Sequence, residues 1–422
     1  MFKVLVVGSG AREHTIVWKL GQSPKVAEIY VAPGNAGTSL IATNLDIKVS
    51  NLEALAQAAL ELKIDLVVVG PEAPLASGIV DLFRSRDIHI FGPTKEAAKL
   101  ESSKVFAKEL MQKYKIPTAR SATFSSFSEA RDYVNSVSSP IVVKADGLAA
   151  GKGAIVAGSA AEAIKALSDM MERYVFGDAG NRVLIEECLT GKEVSLLAFT
   201  DGKAVIPMMP ACDYKRVGDG DSGPNTGGMG SYSPPGFFGK DMINKVKDAV
   251  LVPAVQAMAA EGVPYQGVLY AGLMMTQGGP KVIEFNARFG DPETQALLPL
   301  LESDLAETML AVAEGRLNKA KIRWSKKACV GVVMASGGYP GSYRTGFPIK
   351  GLADLDEDIL VFHAGTKLIG KAVYTDGGRV LTVVARGRTI AEARERVYSN
   401  ISRIHFEGCH YRKDIGAREV AQ

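Results

Sequence analysis

The chain has 422 residues, enough at roughly 100 to 200 residues per domain for about three domains with several cores. Its 49 Lys and Arg stand against 46 Asp and Glu, a net charge of +3 that argues against nucleic acid or a membrane surface as partner. A hydrophobic share of 47% with 23% charged residues excludes wholesale disorder, and the one compositional excess is glycine, at 44 residues.

Short apolar runs at 4–7, 28–31, 66–69 and 88–91 alternate with helical patterns and predict a parallel α/β lobe. Ser50 with Glu53, Ser126 with Glu129, Ser159 with Glu162 and Thr389 with Glu392 have capping-box spacing and mark helix starts. Residues 104–114 read as a helix running into Ile116-Pro117, a lobe boundary. From 140, PIVVKADGLAAGKGAIVAG predicts strand, glycine loop and strand, then a helix from Ser159 and a strand at 183–187, together a small α+β lobe. ACDYKRVGDGDSGPNTGGMGSYSPP is too polar for a core and reads as a long loop. A helix around 241–260 precedes strands at 268–276 and 281–286, which Gln277-Gly278-Gly279-Pro280 joins as a hairpin. KKACVGVVMASGG, VFHAGTKL, RVLTVVARG and the Thr389 helix predict a further α/β lobe.

No apolar run approaches the roughly 18 to 20 residues of a membrane span, and MFKVLVVGSG opens on a core strand with no basic leader, so a cytoplasmic location is expected. Cys188, Cys212, Cys329 and Cys409 form no CxxC and read as reduced thiols.

Several motifs carry chemistry. VLVVGSGAREH puts a glycine turn between strand and helix, where free amides favour an anion. After Gly8 and Gly10, however, Glu13 stands where a dinucleotide fingerprint has its third glycine. A dinucleotide site, a substrate-phosphate site and a purely structural turn all stay open. The loops PGNAGT and GPEAP follow strands of the same lobe, where open sheets bind ligands, so Gly34, Asn35 and Glu72 join Gly8 and Gly10 as substrate-binding candidates.

The loop at 147–153 departs from the Walker spacing and joins two strands, so it reads as a flap over phosphates or as an ordinary glycine hairpin. Lys144, on the entering strand, can reach phosphate oxygens. IEECLTGKEVS reads as strand, hinge and strand, with backbone able to meet an adenine edge and Glu193 suited to a ribose diol. In VIEFNARFGDPETQ, Glu284 and Asn286 share a strand face as hard oxygen ligands for Mg²⁺, and Arg288 continues the alternation as an anion clamp. His14, His89, His363, His405 and His410 lack metal-ligand spacing, and no Ser/His/Asp or Cys/His arrangement can be placed.

With these motifs the chain resembles the ATP-grasp ligases, and within them the phosphoribosylamine-glycine ligase (glycinamide ribonucleotide synthetase) family of purine biosynthesis. The resemblance spans essentially the whole chain. It is carried most specifically by Arg288-Phe289-Gly290-Asp291-Pro292-Glu293-Thr294-Gln295, with GSGAREH, PGNAGT, KADGLAAGKG and PNTGGMG in order.

The resemblance implies an N-terminal parallel α/β substrate domain at 1–100 and an ATP-grasp core at 101–324. The core would have a small lid lobe at about 121–190 and a larger metal-binding lobe at about 191–324, and a C-terminal α/β domain would follow at 325–422. It also implies that Glu186, Glu187, Cys188 and Leu189 hold adenine, Glu193 the ribose, Lys104 and Lys144 the phosphates, with Arg216 and Asn225 facing the nucleotide. Glu284 and Asn286 would bind Mg²⁺ or Mn²⁺. Lys144, Arg288 and Asp291 are the catalytic candidates, and Asp213, Lys215, Arg288 and Asp291 the further substrate-binding ones.

The implied reaction joins glycine to 5-phosphoribosylamine through glycyl phosphate in a monomeric enzyme. Many relatives place another metal carboxylate on the preceding strand, which here has none at 267–276. Competing readings are an ATP-grasp ligase for another acid or amine, an NAD-linked dehydrogenase resting on Gly8 and Gly10 alone, and a non-catalytic ATP-binding module.

Overall fold

The structure is a computed structural model that describes residues 1–149 and 153–420. The middle of the expected flap, 150–152, lies outside the described residues. Strands β1 (Phe2–Gly8), β2 (Val26–Pro33), β3 (Thr43–Asn44), β4 (Leu66–Val69) and β5 (Ile90–Phe91) form a parallel sheet in the order β3-β2-β1-β4-β5. Val4 to Val7 are fully buried, because helices cover both faces of such a sheet and leave no polar side.

β6 (Ser121–Phe124), β7 (Ile141–Ala145), β8 (Ala154–Ala157) and β9 (Val183–Glu187) form an antiparallel sheet in the order β6-β9-β7-β8. The helices Phe127–Ser136 and Ala160–Met171 cover one of its faces through Ala130, Val134, Leu167 and Met170. The chain continues through β10 (Lys192–Asp201), β11 (Val205–Pro207), β12 (Cys212–Asp213), β13 (Arg216–Gly218), β14 (Ser222–Asn225) and β15 (Gly230–Ser233). A helical stretch, π-helical at Lys247–Leu251 just before Pro253, leads into β16 (Gln266–Thr276) and β17 (Gly279–Asn286). The last strands are β18 (Ala328–Ala335), β19 (Leu360–His363), β20 (Thr366–Ile369), β21 (Ala372–Thr375) and β22 (Arg379–Gly387).

The second core sheet runs β11-β10-β16-β17, and the C-terminal sheet runs β12-β15-β18-β22-β19. This differs from the sequence reading. The polar stretch at 211–235 is not a free loop: it supplies four short strands, two of which complete the C-terminal sheet, with Tyr232 opposite Val330. Its small polar residues are buried with partners, Ser231 donating to the Pro292 carbonyl at 2.7 Å and Ser233 to that of Pro210 at 2.7 Å. The first cap also differs, Asn51 and not Ser50 accepting the Ala54 amide at 3.1 Å. Ser126, Ser159 and Thr389 cap their helices, as their spacing predicts.

The N-terminal and C-terminal lobes meet at a buried imidazole pair. The His363 amide donates to His14 Nδ1 at 2.8 Å, and Asn35 Nδ2 donates to the His363 carbonyl at 2.7 Å. Burial, with His363 alongside, pushes His14 down to about 3, and burial pushes His363 down to about 4. Unfolded, both rings titrate near 6.5, so above that pH they add no pH dependence. Below it only the unfolded chain takes up their protons, and stability falls by about 1.4 kcal/mol per pH unit for each ring. We expect the unfolding free energy from denaturant titration to decline between pH 6.5 and 4, and to decline more gently in His14→Gln. Equal slopes would exclude the buried neutral ring as the cause.

Candidate active site

The signature strand shows why three polar groups leave one face of an apolar segment. β17 pairs Gly272 with Glu284 but Leu273 with Val282, so Ile283 is bulged out of register. Val282, Phe285, Ala287 and Phe289 then all reach the core, while Glu284, Asn286 and Arg288 face away from it. Arg288 sits between two carboxylates, with Nε 3.1 Å from Glu72 Oε2 and Nη2 2.9 Å from Glu101 Oε1. Burial opposes its charge, yet Glu101 and Glu72 raise it above the ordinary arginine range. Burial pushes the Glu101 carboxyl up against the pull of Arg288; at Glu72 burial is outweighed by Arg288 and Arg12, which hold it low. Glu101 also accepts the Ala287 amide at 2.7 Å, so it positions both the backbone and the side chain of the signature. No motif marked it in the sequence.

The lysines gather from separate elements. Lys104 and Lys108 lie one turn apart on the helix Lys104–Lys113, and Lys144 lies on β7. Lys144 Nζ is 2.7 Å from Glu186 Oε2, and Lys108 Nζ is 2.8 Å from Glu186 Oε1. Glu186, expected at the adenine, is therefore held by its carboxylate between two buried lysines. A buried lysine needs such a counter-charge to stay ionised. Lys104 donates to the Gly147 carbonyl at 2.7 Å, tying its helix to the glycine loop; burial and then Lys144 lower its pKa, while Glu284 opposes them.

Glu284 is the centre of the charge pattern. Burial would raise its pKa, but Lys215, Lys144, Lys104 and Arg288 together hold it below the ordinary value. No hydrogen bond from the described residues reaches its carboxylate or the Asn286 side chain. Opposite it stands Gly272, with no side chain, and the described residues contain no cluster of three His, Cys, Asp or Glu arranged to hold a metal. Two free oxygen donors in a cationic surround fit a hard divalent ion that arrives with a polyphosphate and shares its oxygens. They do not fit a closed structural metal site.

The hinge between β9 and β10 lines a cleft of about 310 Å³ with Glu187, Cys188, Leu189, Thr190, Gln277 and Lys281. The Glu187 carboxylate is spent on Lys281 and Arg120, at 2.9 Å each, and Lys281 leads in pulling it down to about 2. Glu193 pairs with Lys215 at 2.9 Å. Burial, with Glu293, Glu193 and Glu284 near, pushes Asp213 up to about 7 against the pull of Lys215. Arg216 and Asn225 face each other across β13 and β14.

The N-terminal turn answers one open reading. Gly8 has φ +134°, and the Gly10 amide donates to Glu13 Oε2 at 2.6 Å. Side chains at Gly8 or Gly70 would strike the Glu13 carboxylate, which fills the cradle a pyrophosphate would need. The anion at this helix start is the chain's own, and the dinucleotide reading loses its only support. Asn35 is also internally engaged: its Nδ2 donates to the Ser9 and His363 carbonyls, and its Oδ1 accepts the Gly37 and Thr38 amides. Its side chain therefore pins the loop behind Gly34. Glu72 reaches the site as a partner of Arg288, and Asp291 is clasped by Arg379, Nη1 to Oδ1 at 3.1 Å and Nη2 to Oδ2 at 3.0 Å. Lys108, Glu101 and Arg379 are the site's contributors that sequence reasoning missed.

Residues 2–101, 102–294 and 329–418 match the N, ATP-grasp (A) and C domains of phosphoribosylglycinamide synthetase. The chain belongs to this family. Among the family's named proteins, Phosphoribosylamine--glycine ligase of Escherichia coli (strain K12) is 52% identical over 424 residues, covering 99% of each chain. That of Halalkalibacterium halodurans is 51% identical over 419 residues, covering 99% of this chain and 97% of its own. The solved Phosphoribosylamine--glycine ligase of Thermotoga maritima is 35% identical and superposes with a TM-score of 0.85, covering 98% of this chain and 100% of that one. The biotin carboxylase domain of Hydrogenobacter thermophilus 2-oxoglutarate carboxylase, solved with MgADP, shares the fold at 17% identity and a TM-score of 0.74, covering 97% of this chain and 92% of that one.

Glu101→Gln keeps an acceptor for the Ala287 amide and removes one of the two charges on Arg288. We expect a loss of about 2 kcal/mol in stability by thermal or denaturant unfolding and a fall in turnover of about tenfold in steady-state assays.

Proposed function

We propose that the chain joins glycine to 5-phosphoribosylamine with ATP, giving glycinamide ribonucleotide, ADP and phosphate, a step of purine biosynthesis. The glycine carboxylate attacks the γ-phosphorus, ADP leaves, and glycyl phosphate forms. The amine nitrogen of phosphoribosylamine then attacks the acyl carbon, phosphate departs, and the nitrogen loses a proton as the amide forms. The observation that carries the substrate assignment is identity of 51–52% to relatives named Phosphoribosylamine--glycine ligase over 99% of this chain.

The geometry supports the chemistry independently. Phosphoryl transfer asks for positioning and charge neutralisation and for no protein nucleophile. In this reading Lys104 and Lys144 meet phosphate oxygens and Arg288 meets the developing charge, a role its fixed position between Glu72 and Glu101 supports. Asp213 and Lys215, the latter paired with Glu193, are the candidates for holding substrate amine and carboxylate groups. A divalent ion, Mg²⁺ or Mn²⁺, held by Glu284 and Asn286 would screen phosphate charge during transfer. The working unit we propose is the monomer. A cytoplasmic setting suits the four free cysteines, and none of the described helices is long and apolar enough to cross a membrane.

ADP release measured with glycine and phosphoribosylamine, each omitted in turn, tests this reading. Dependence on both is expected. Dependence on another acid or amine would leave an ATP-grasp ligase of different specificity, and dependence on neither would end the proposal. Glu284→Ala and Arg288→Ala should each lower kcat by at least about a hundredfold with circular dichroism unchanged.

A further inference from the structure

We infer that Arg379 is a positioning residue for the amine-acceptor side of the site, acting through Asp291; this rests on the ligase reading above. Arg379 comes from β22 in the C-terminal lobe, yet its guanidinium forks onto the signature Asp291 at 3.1 and 3.0 Å. The same Nη1 reaches the Asp291 carbonyl at 3.2 Å and the Gly227 carbonyl at 2.7 Å. The Gly227 amide in turn donates to the Tyr339 hydroxyl at 2.9 Å. Gly228, at φ +108°, lies so close to Pro292 that any side chain there would collide with the proline ring. One guanidinium thus locks together the C-terminal lobe, the PNTGGMG segment and the signature.

The pair is largely withdrawn from water, Asp291 being 14% exposed and Arg379 22%. Burial raises the Asp291 pKa, but Arg379 and Arg12 outweigh it and keep the carboxylate ionised. The hydrogen-bond count then fixes what Asp291 can still do. Oδ1 accepts from Arg379 Nη1 and from Gln295 Nε2 at 2.8 Å, whereas among the described residues Oδ2 accepts from Arg379 Nη2 alone. Oδ2 is also the oxygen nearest the N-terminal turn, 3.6 Å from where a Cβ on Gly10 would stand. Oδ2 thus stands beside the turn that follows β1, at the carboxyl end of a parallel strand of the first lobe. None of Arg379's hydrogen bonds touches Lys104, Lys144 or Glu186. Its removal frees Asp291 to rotate and releases the Gly227 carbonyl, while the pairings of Lys104, Lys144 and Glu186 keep all their partners.

Arg379→Ala and Arg379→Lys test this, with KM for ATP, for glycine and for phosphoribosylamine measured separately and folding checked by thermal melting. We expect kcat/KM for phosphoribosylamine to fall about tenfold to a hundredfold in Arg379→Ala. KM for ATP should stay within about threefold, and Arg379→Lys should fall between the two because one ammonium cannot reproduce the fork. An equal rise in KM for ATP, or an unchanged kcat/KM for phosphoribosylamine in a folded variant, overturns the inference. If Arg379→Ala does not fold, Arg379→Lys decides on the same split. A parent enzyme that shows no dependence on phosphoribosylamine fails the ligase reading first. A parent that depends on it, with variants that keep their acceptor kinetics, fails only the role of Arg379.

Discussion

Cations that must stay charged away from water govern this molecule. Burial drives Lys104 and Lys108 toward the neutral form, and only carboxylates delivered from other elements oppose it: Glu284 faces Lys104, and Glu186 is shared by Lys108 and Lys144. Arg288 obeys the same rule with Glu72 from the first lobe and Glu101 from the helix Lys99–Ser102. Truncating one partner would strand a charge, which costs several times what the pair itself contributes. The lobes are therefore held in register by charge neutrality as well as by apolar contact. The site does not merely occupy the seam between them; its pairings help to make that seam.

This explains a division of labour among the acidic residues. Glu13, Glu101, Glu186 and Glu187 are committed to amides or cations of the chain, so their negative charge is already spent. Glu284 is surrounded by cations yet accepts no hydrogen bond from the described residues, and its oxygens remain available to a ligand. Two carboxylates with nearly the same sequence appearance thus differ in kind. Glu186 organises the pocket, and Glu284 is offered to what enters it.

Local pattern made much of this legible. The parallel strands, three of four caps, the hairpin joining β16 to β17 and the same-face placement of Glu284, Asn286 and Arg288 all follow from periodicity and turn chemistry over a few residues. The family signature was legible too, because it is a run of adjacent residues. What stayed hidden were partners far away in sequence. Glu101 lies 187 residues before Arg288, and Arg379 lies 88 residues after Asp291. Neither belongs to a motif, since an ion pair needs only opposite charge at the right place. Glu13 is intermediate: its misfit to a dinucleotide turn was visible, but that its own carboxylate fills the turn required coordinates. The stretch at 211–235 misled for a related reason, its polar residues being satisfied by long-range ladder bonds that composition does not show.

The shared C-terminal sheet has a consequence for how the chain is made. β15 leaves the ribosome about a hundred residues before β18, its neighbour, and nearly 150 before β22. Until then one edge of β15 carries unpaired amides and carbonyls, the kind of edge that invites wrong pairing. Vectorial synthesis cannot complete the core first and append the last lobe afterwards. The final quarter of the chain closes a surface opened much earlier, so a product stopped at residue 324 would be an unfinished sheet in place of a smaller protein.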